Sequence, residues 1–109
     1  MSAGLFYLME YFVYILYSKV SDIFYVGYTD DFIRRFEQHN HADKITFTSK
    51  HRPWILKAVY SCGANQSNAM KIEKFIKNQK SRKLIEKLVA GGEFSGILAQ
   101  LIRVSYTAD

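Results

Sequence analysis

An arginine and a histidine four positions apart, Arg35 and His39, are the first pair of residues suited to chemistry. They lie in a segment predicted to form a helix that ends near Asn40. At ~100° per residue, both fall beside the apolar stripe formed by Phe32 and Phe36. Each side chain alone is explained as a snorkelling arginine or as a hydrogen-bonded histidine at a helix end. Together, at the edge of a core where unpaired polar groups are costly, they indicate a pair that handles an anion.

A carboxylate lies on the apolar face of a second predicted helix, which runs from about Ser67 to Gln79. Drawn at ~100° per residue, Glu73 falls among Ala69, Ile72 and Ile76. A carboxylate on a buried stripe needs a cation or a hydrogen-bond network. Two interpretations stay open: a structural ion pair, for example with Arg35, or a ligand for a hard cation such as Mg²⁺. That cation often takes one or two protein carboxylates and completes its shell with water and phosphate.

Two tyrosine hydroxyls complete the candidate site. Tyr14 and Tyr25 lie on strands that we expect to pair, and Tyr25 shares a sheet face with Gly27. Most aromatic residues on strands belong to the core, so neither hydroxyl alone indicates chemistry. A glycine inside a strand predicts the close approach of another backbone or of a ligand.

Hydrophobic patterning predicts the elements that position these residues. The predicted strands are residues 11–17, 23–29 and 54–60. The predicted helices run from a cap at Thr29 or Asp30 to about Asn40, from about Ser67 to Gln79, from Arg82 to Ala90 between Ser81 and Gly91-Gly92, and, as an amphipathic stretch, from Phe94 to Arg103. The order β-β-α-β-α-α-α predicts a small α/β domain of the α+β type, with a three-stranded antiparallel sheet flanked by helices. A length of 109 residues predicts one domain, with its core at about 11–90.

The composition indicates a basic globular domain. The chain is 49% hydrophobic, and 15 Lys and Arg against 10 Asp and Glu give a net charge of +5. Such a surplus attracts nucleic acid or an anionic surface, although it can also serve solubility alone. The candidates for contact with phosphate are Arg34, Lys50, Arg52, Lys77, Lys80 and Arg82.

Cysteine usage and hydropathy bear on the compartment. Cys62 is the one cysteine, so no internal disulfide forms, and no Cys/His cluster has the spacing of zinc ligands. The apolar run from Ala3 to Tyr17 is interrupted by Glu10, lacks a basic leader and falls short of the ~20 residues of a membrane helix. We therefore expect a disordered tip that leads into a core strand, no membrane partner, and a cytoplasmic protein.

The order and spacing of the candidate residues resemble the GIY-YIG nuclease superfamily. The matching positions are Phe12-Val13-Tyr14, Tyr25-Val26-Gly27, Arg35 ten residues after Tyr25, His39 and Glu73, with Trp54, Ala69 to Lys77 and Lys80-Ser81-Arg82 further on. The resemblance covers about Tyr11 to Leu88. It is strongest to the compact stand-alone branch, and it extends to the domain of the excision-repair incision subunit.

The resemblance implies a metal-dependent endonuclease acting on DNA in repair, recombination or DNA processing, with RNA left open as a substrate. It implies one divalent cation, Mg²⁺ or Mn²⁺, held by Glu73, and Tyr14 or Tyr25 helping to deprotonate the attacking water. It further implies that Arg35 stabilises charge on the phosphorane and that His39 orients groups or relays protons. A protein partner would supply targeting, because bare domains of this family usually borrow it.

The chain also departs from the family pattern. Phe12 replaces the first glycine of the name motif, Tyr28 stands where the excision-repair members carry a lysine, and the late asparagine of some nucleases has no counterpart. An alternative function is a non-catalytic nucleic-acid-binding module with the same fold, but such a module would be expected to lose Arg35 or Glu73. An RNA-recognition sheet requires the order β-α-β-β-α-β, which this chain does not have.

Overall fold

The computed structural model describes residues 9–106. This part of the chain contains four strands and three α-helices. The strands are β1 (Phe12–Ser18), β2 (Ile23–Thr29), β3 (Trp54–Ser61) and β4 (Ile102–Arg103). The helices are α1 (Phe32–His41), α2 (Gln66–Asn78) and α3 (Arg82–Ala90), with 3₁₀ turns at Thr48–His51 and Gly96–Gln100. The first three strands and three helices therefore lie where they were predicted, to within about one residue at most ends. The predicted disordered tip falls largely on residues 1–8, outside the described residues.

The strands form one antiparallel sheet in the order β2-β1-β3-β4. β1 is flanked by β2 and β3, so both of its backbone edges are hydrogen-bonded within the sheet. In the register, Tyr14 lies opposite Gly27 on β2 and opposite Val59 on β3. The predicted antiparallel pairing of the first two strands is confirmed, and so is the α+β class.

Each face of the sheet has its own apolar cluster. On one face, a cluster that includes Val13 and Ile15 packs with buried residues of α2 and α3, among them Ile72 and Leu88. On the other face, Tyr14, Leu16, Val59 and Trp54 pack with Phe32 and Phe36 of α1. Because side chains alternate along a strand, neighbouring residues of β1 serve opposite faces. Tyr14 thus lies under α1. The helix α2 packs on the opposite face of the sheet, mainly against the edge strand β2.

The helix ends follow from local hydrogen bonds. Asp31 caps α1 by accepting a bond of 3.0 Å from a backbone N–H of the first turn. The predicted caps, Thr29 or Asp30, are wrong, because the Thr29 hydroxyl instead accepts the N–H of Asp31. Ser81 caps α3, and Gly91 with φ of 88° follows its end, as predicted.

The predicted C-terminal helix, Phe94 to Arg103, is wrong. A 3₁₀ turn begins at Gly96, whose φ of 64° lies outside the α-helical region, and β4 then joins the sheet beside β3. The backbone N–H of Val104 donates to β3, and the Arg103 guanidinium donates to the carbonyl of Leu88 in the last turn of α3. These long-range bonds override a local amphipathic pattern, so the observed order ends in a strand and the sheet has four strands.

Within residues 9–106, no helix has the length and apolar character that are needed to cross a membrane.

Candidate active site

The Tyr14 ring is placed by a close approach to β2. Tyr14 is 2% exposed, and its ring lies over Gly27, its partner in the register. A Cβ built on Gly27 would lie 2.5 Å from Cζ of Tyr14, a separation that real Cβ atoms essentially never show. The glycine therefore marks a close approach, as predicted, but the approaching group is an aromatic ring and not a backbone or a ligand.

His39 lies at the centre of a buried hydrogen-bond chain. Its Nε2 lies 2.7 Å from the hydroxyl of Tyr14, and its Nδ1 lies 2.9 Å from the hydroxyl of Thr48. The residue is 3% exposed. Burial, and then the charges of Arg35 and Arg52, lower the pKa of His39 from 6.5 to about 4. The imidazole is therefore neutral at pH 7, with one nitrogen that donates and one that accepts.

Thr48 was not among the predicted site residues. It lies in the loop between α1 and β3, where a threonine in a polar stretch gives no signal that separates it from its neighbours. Its backbone carbonyl accepts a bond of 2.7 Å from the indole of Trp54, and its hydroxyl lies 3.1 Å from that of Thr46. These bonds fix the loop beside the imidazole.

Electrostatic coupling links Tyr14 to the other predicted residues. Burial raises the pKa of Tyr14 well above its ordinary value, and the proximity of Tyr25 adds to this effect. Arg35 opposes the shift, because its positive charge favours a phenolate, while the negative charge of Glu73 strengthens it. Both charged groups therefore act at the Tyr14 hydroxyl, which is a neutral donor in the free protein.

A concavity of about 380 Å³ lies beside the hydrogen bonds that join Tyr14, His39 and Thr48. Its lining includes Tyr25, Arg35, His39, Lys44, Phe47 and Arg52. Arg35 is exposed, and its guanidinium donates to Gln38 at 3.0 Å, so its expected place on the core-facing edge is wrong while that of His39 is right. Because the Arg35 side chain is among the lining residues, its guanidinium can leave Gln38 to meet a ligand in the concavity. Tyr14 lies beneath the floor, and Glu73 is not among the lining residues.

Glu73 projects from α2 near the edge of β2. Its side chain is 21% exposed, and its carboxylate lies 3.7 Å from Nζ of Lys77. The suggested pairing of Glu73 with Arg35 is therefore wrong. The same Nζ lies 5.1 Å from the ring centroid of Tyr25, so the ion pair reaches towards the concavity from the side of α2.

The donor set around Glu73 decides which metal could bind. No group of three or more His, Cys, Asp or Glu residues that could hold a metal occurs in the part of the chain that the structure describes. A closed zinc site needs four such ligands around the metal, and the described residues do not provide them together. A single, partly exposed carboxylate does fit a hydrated Mg²⁺ or Mn²⁺, which draws its remaining oxygens from water and substrate phosphate.

The six basic residues predicted to contact phosphate lie at different places. Lys50 is exposed in the loop that follows α1, and Lys80 is exposed after α2. The others already have partners: Arg34 with Asp30 at 3.3 Å, Arg52 with the carbonyls of His39 and Ala42, Lys77 with Glu73, and Arg82 with Asp22 at 2.7 Å. Arg34 faces solvent, as predicted. Contact between these residues and phosphate stays a prediction.

The structure thus brings three of the five predicted residues, Tyr25, Arg35 and His39, to one concavity, with Tyr14 bonded to His39 beneath it and Glu73 outside its lining on α2. A family model described as the GIY-YIG catalytic domain matches residues 10–86, which include all five of these residues. No curated protein matches the chain significantly. The chain belongs to the GIY-YIG family of nucleases.

Proposed function

We propose that this protein is a divalent-metal-dependent endonuclease that hydrolyses phosphodiester bonds in DNA, in repair, recombination or DNA processing. The observation that carries the proposal is the hydrogen bond of 2.7 Å between Tyr14 and a neutral His39 beneath a cationic concavity. A neutral imidazole accepts the hydrogen bond of the Tyr14 phenol and so holds that hydroxyl in a fixed orientation. A purely structural pair would need neither the concavity nor the charged groups that act on the phenol.

The orientation of the Tyr14 hydroxyl depends on which nitrogen of His39 carries the proton. When Nδ1 donates to Thr48, Nε2 accepts the hydrogen bond of Tyr14 and so directs that hydroxyl. Because both ring nitrogens are engaged, His39 acts on the phenol and not directly on water. The hydroxyl that meets the attacking water is that of Tyr14 or that of Tyr25 at the concavity, and Tyr→Phe substitutions at the two positions distinguish them by the larger loss of kcat.

Arg35 supplies the positive charge for the phosphate. Its exposed side chain lies among the lining residues, so it can reach an oxygen on which negative charge develops. Loss of one such donor costs about 10²–10³ in kcat in other hydrolases. We expect Arg35→Ala to abolish measurable cleavage and to weaken DNA binding modestly, because a phosphate contact is lost.

Glu73 is the proposed ligand for Mg²⁺ or Mn²⁺. Once bound, such a cation would neutralise the charge that develops on the phosphate oxygens. The Lys77 side chain is 44% exposed and lies 3.7 Å from the carboxylate, so it can move away from Glu73 to bind the DNA backbone. Backbone contacts predict that affinity falls steeply with added salt and varies little with sequence.

The proposal is tested with labelled structured and plain DNAs, with Mg²⁺ or Mn²⁺, beside the Glu73→Gln protein. We expect Glu73→Gln to abolish cleavage while DNA affinity is unchanged or slightly tighter, since a negative charge near the phosphate is gone. Glu86→Gln is the matched control, because Glu86 also forms an i,i+4 ion pair, with Arg82 at 3.4 Å, but on α3. That variant should cleave normally.

The ion pair of Glu73 with Lys77 favours a second candidate, a non-catalytic DNA-binding module in which Glu73 is only a counter-ion. In that case Glu73→Gln changes stability by about 0.3–0.5 kcal/mol, the usual worth of an i,i+4 helical ion pair, and leaves DNA binding unchanged. Full cleavage by Glu73→Gln at saturating metal would overturn the proposed mechanism. Absence of cleavage by the unaltered protein on every DNA, together with salt-sensitive binding, would favour the module.

A further inference from the structure

A large aromatic side chain stands exposed at the mouth of the concavity. Phe47 is 57% exposed and lines the same concavity as Arg35 and His39. Its ring lies 6.4 Å from that of Tyr25 at an interplanar angle of 30°, and 4.7 Å from that of His51. Leaving most of a phenylalanine in water forgoes the free energy that its burial would give. Its place beside the candidate active site indicates that a ligand covers it.

The backbone that carries Phe47 is held in place on both sides. Thr46 and Ser49 exchange hydrogen bonds, including 2.8 Å from the Thr46 N–H to the Ser49 hydroxyl. The Trp54 indole holds the carbonyl of Thr48. Because these bonds already hold the backbone of the loop, stacking on Phe47 requires little reordering of that backbone.

The chemistry around Phe47 matches that of a nucleic-acid strand. Among the described residues that line the concavity, three are cationic, namely Arg35, Lys44 and Arg52, and none is a carboxylate. Cations that follow a phosphate backbone beside an aromatic face are the combination by which proteins bind single strands. A peptide ligand would have to be acidic and aromatic to fit equally well.

We propose that Phe47 stacks on an unpaired base next to the scissile phosphate. The substrate class is then DNA that is single-stranded or unstacked at the cleavage point, such as a flap, a gap or a frayed junction. In a continuous duplex both faces of each base are covered by its neighbours, so a phenyl ring has no free face to meet. The ring has no hydrogen-bonding group, so the contact selects strand structure and not sequence. This inference rests on the proposed function for its link to cleavage.

The binding test uses DNA with 2-aminopurine in a single-stranded flap, mixed with the protein in chelator so that no cleavage occurs. Stacking on the unaltered protein should change the probe's fluorescence, and Phe47→Ala should lose that change. Phe47→Leu keeps apolar volume without a ring, so it should also lose the change. Ile45→Ala is the matched control, because Ile45 is 84% exposed on the same loop. It should respond like the unaltered protein, and melting temperatures check that all variants are folded.

The cleavage test adds Mg²⁺ or Mn²⁺. Phe47→Ala should cleave the flap about tenfold or more slowly, the order expected for one stacked base, and should cleave continuous duplex at an unchanged rate. An abasic nucleotide at the probe position should slow the unaltered protein to the same extent.

The two proposals fail in different ways. Equal fluorescence changes in Phe47→Ala and the unaltered protein would overturn the stacking inference, whatever the cleavage. A Phe47-dependent change without cleavage of any DNA would support stacking and overturn the proposed activity. Equal losses of cleavage on flap and duplex in Phe47→Ala would overturn the assigned substrate class. Absence of DNA binding at low salt would overturn both proposals and would indicate a protein partner for Phe47.

Discussion

Acidification should destabilise this fold through His39 in particular. The imidazole is buried between Tyr14 and Thr48, and its pKa is lowered from 6.5 to about 4, first by burial and then by Arg35 and Arg52. Protonation would put a charge into this buried chain and would remove the nitrogen that accepts a hydrogen bond. The His39 imidazole therefore binds a proton more weakly in the folded state than in the unfolded chain.

The sign and the size follow from the two pKa values. Above about pH 6.5 neither state carries the proton, so the contribution to stability is fully present. Between that pH and about 4 only the unfolded state is protonated, so stability is lost as the pH falls. At about 1.4 kcal/mol per pKa unit, the loss reaches roughly 2 kcal/mol at pH 5 and about 3 kcal/mol at pH 4.

This contribution of His39 is measured by urea denaturation of the unaltered protein and of His39→Gln. The free energy of unfolding of each is determined at several pH values between about 7 and 4. Subtracting the two free energies of unfolding cancels the carboxylates common to both, including Asp22, whose pKa is held low by Tyr17 and Arg82. The advantage of the unaltered protein over His39→Gln should shrink by roughly 2 kcal/mol by pH 5. An advantage that stays constant over this range would show that the imidazole is not held neutral by its burial.

Three further substitutions test the packing that builds the site. Gly27→Ala should destabilise the fold by about 1–3 kcal/mol by thermal or urea unfolding, because its Cβ would overlap the Tyr14 ring; an unchanged stability would contradict the close approach. Thr48→Val should cost about 1–3 kcal/mol because it leaves one nitrogen of His39 without a partner, and Thr48→Ser should restore most of it. Arg103→Ala should lower stability by about 1 kcal/mol, since its guanidinium donates to the carbonyl of Leu88 near the end of α3; equal stability would mean that the Tyr60 hydroxyl, which also donates to this carbonyl, is sufficient.

Local sequence patterns were sufficient for most of the secondary structure. β1 to β3 combine β-branched and aromatic residues with polar turns, and α1 to α3 carry apolar residues at a helical period, which depends only on neighbours along the chain. The same periodicity placed His39 and Glu73 beside apolar stripes, and the glycine within β2 marked a close approach. Local patterning failed for Phe94–Arg103, where a pairing with β3, some forty residues away, decides between helix and strand.

The sequence by itself determined the order of the elements and the side of each helix on which His39 and Glu73 lie. Only the tertiary structure decided their partners: His39 bonds to Tyr14 and Thr48, Glu73 pairs with Lys77, and Arg35 is exposed. The periodicity of apolar residues gives the direction in which a side chain leaves its helix. It does not give the distance from that side chain to groups on the neighbouring elements. Hydrogen bonds and pKa values depend on that distance to within an ångström, so the chemistry of the site is fixed by packing between elements that are remote in the chain.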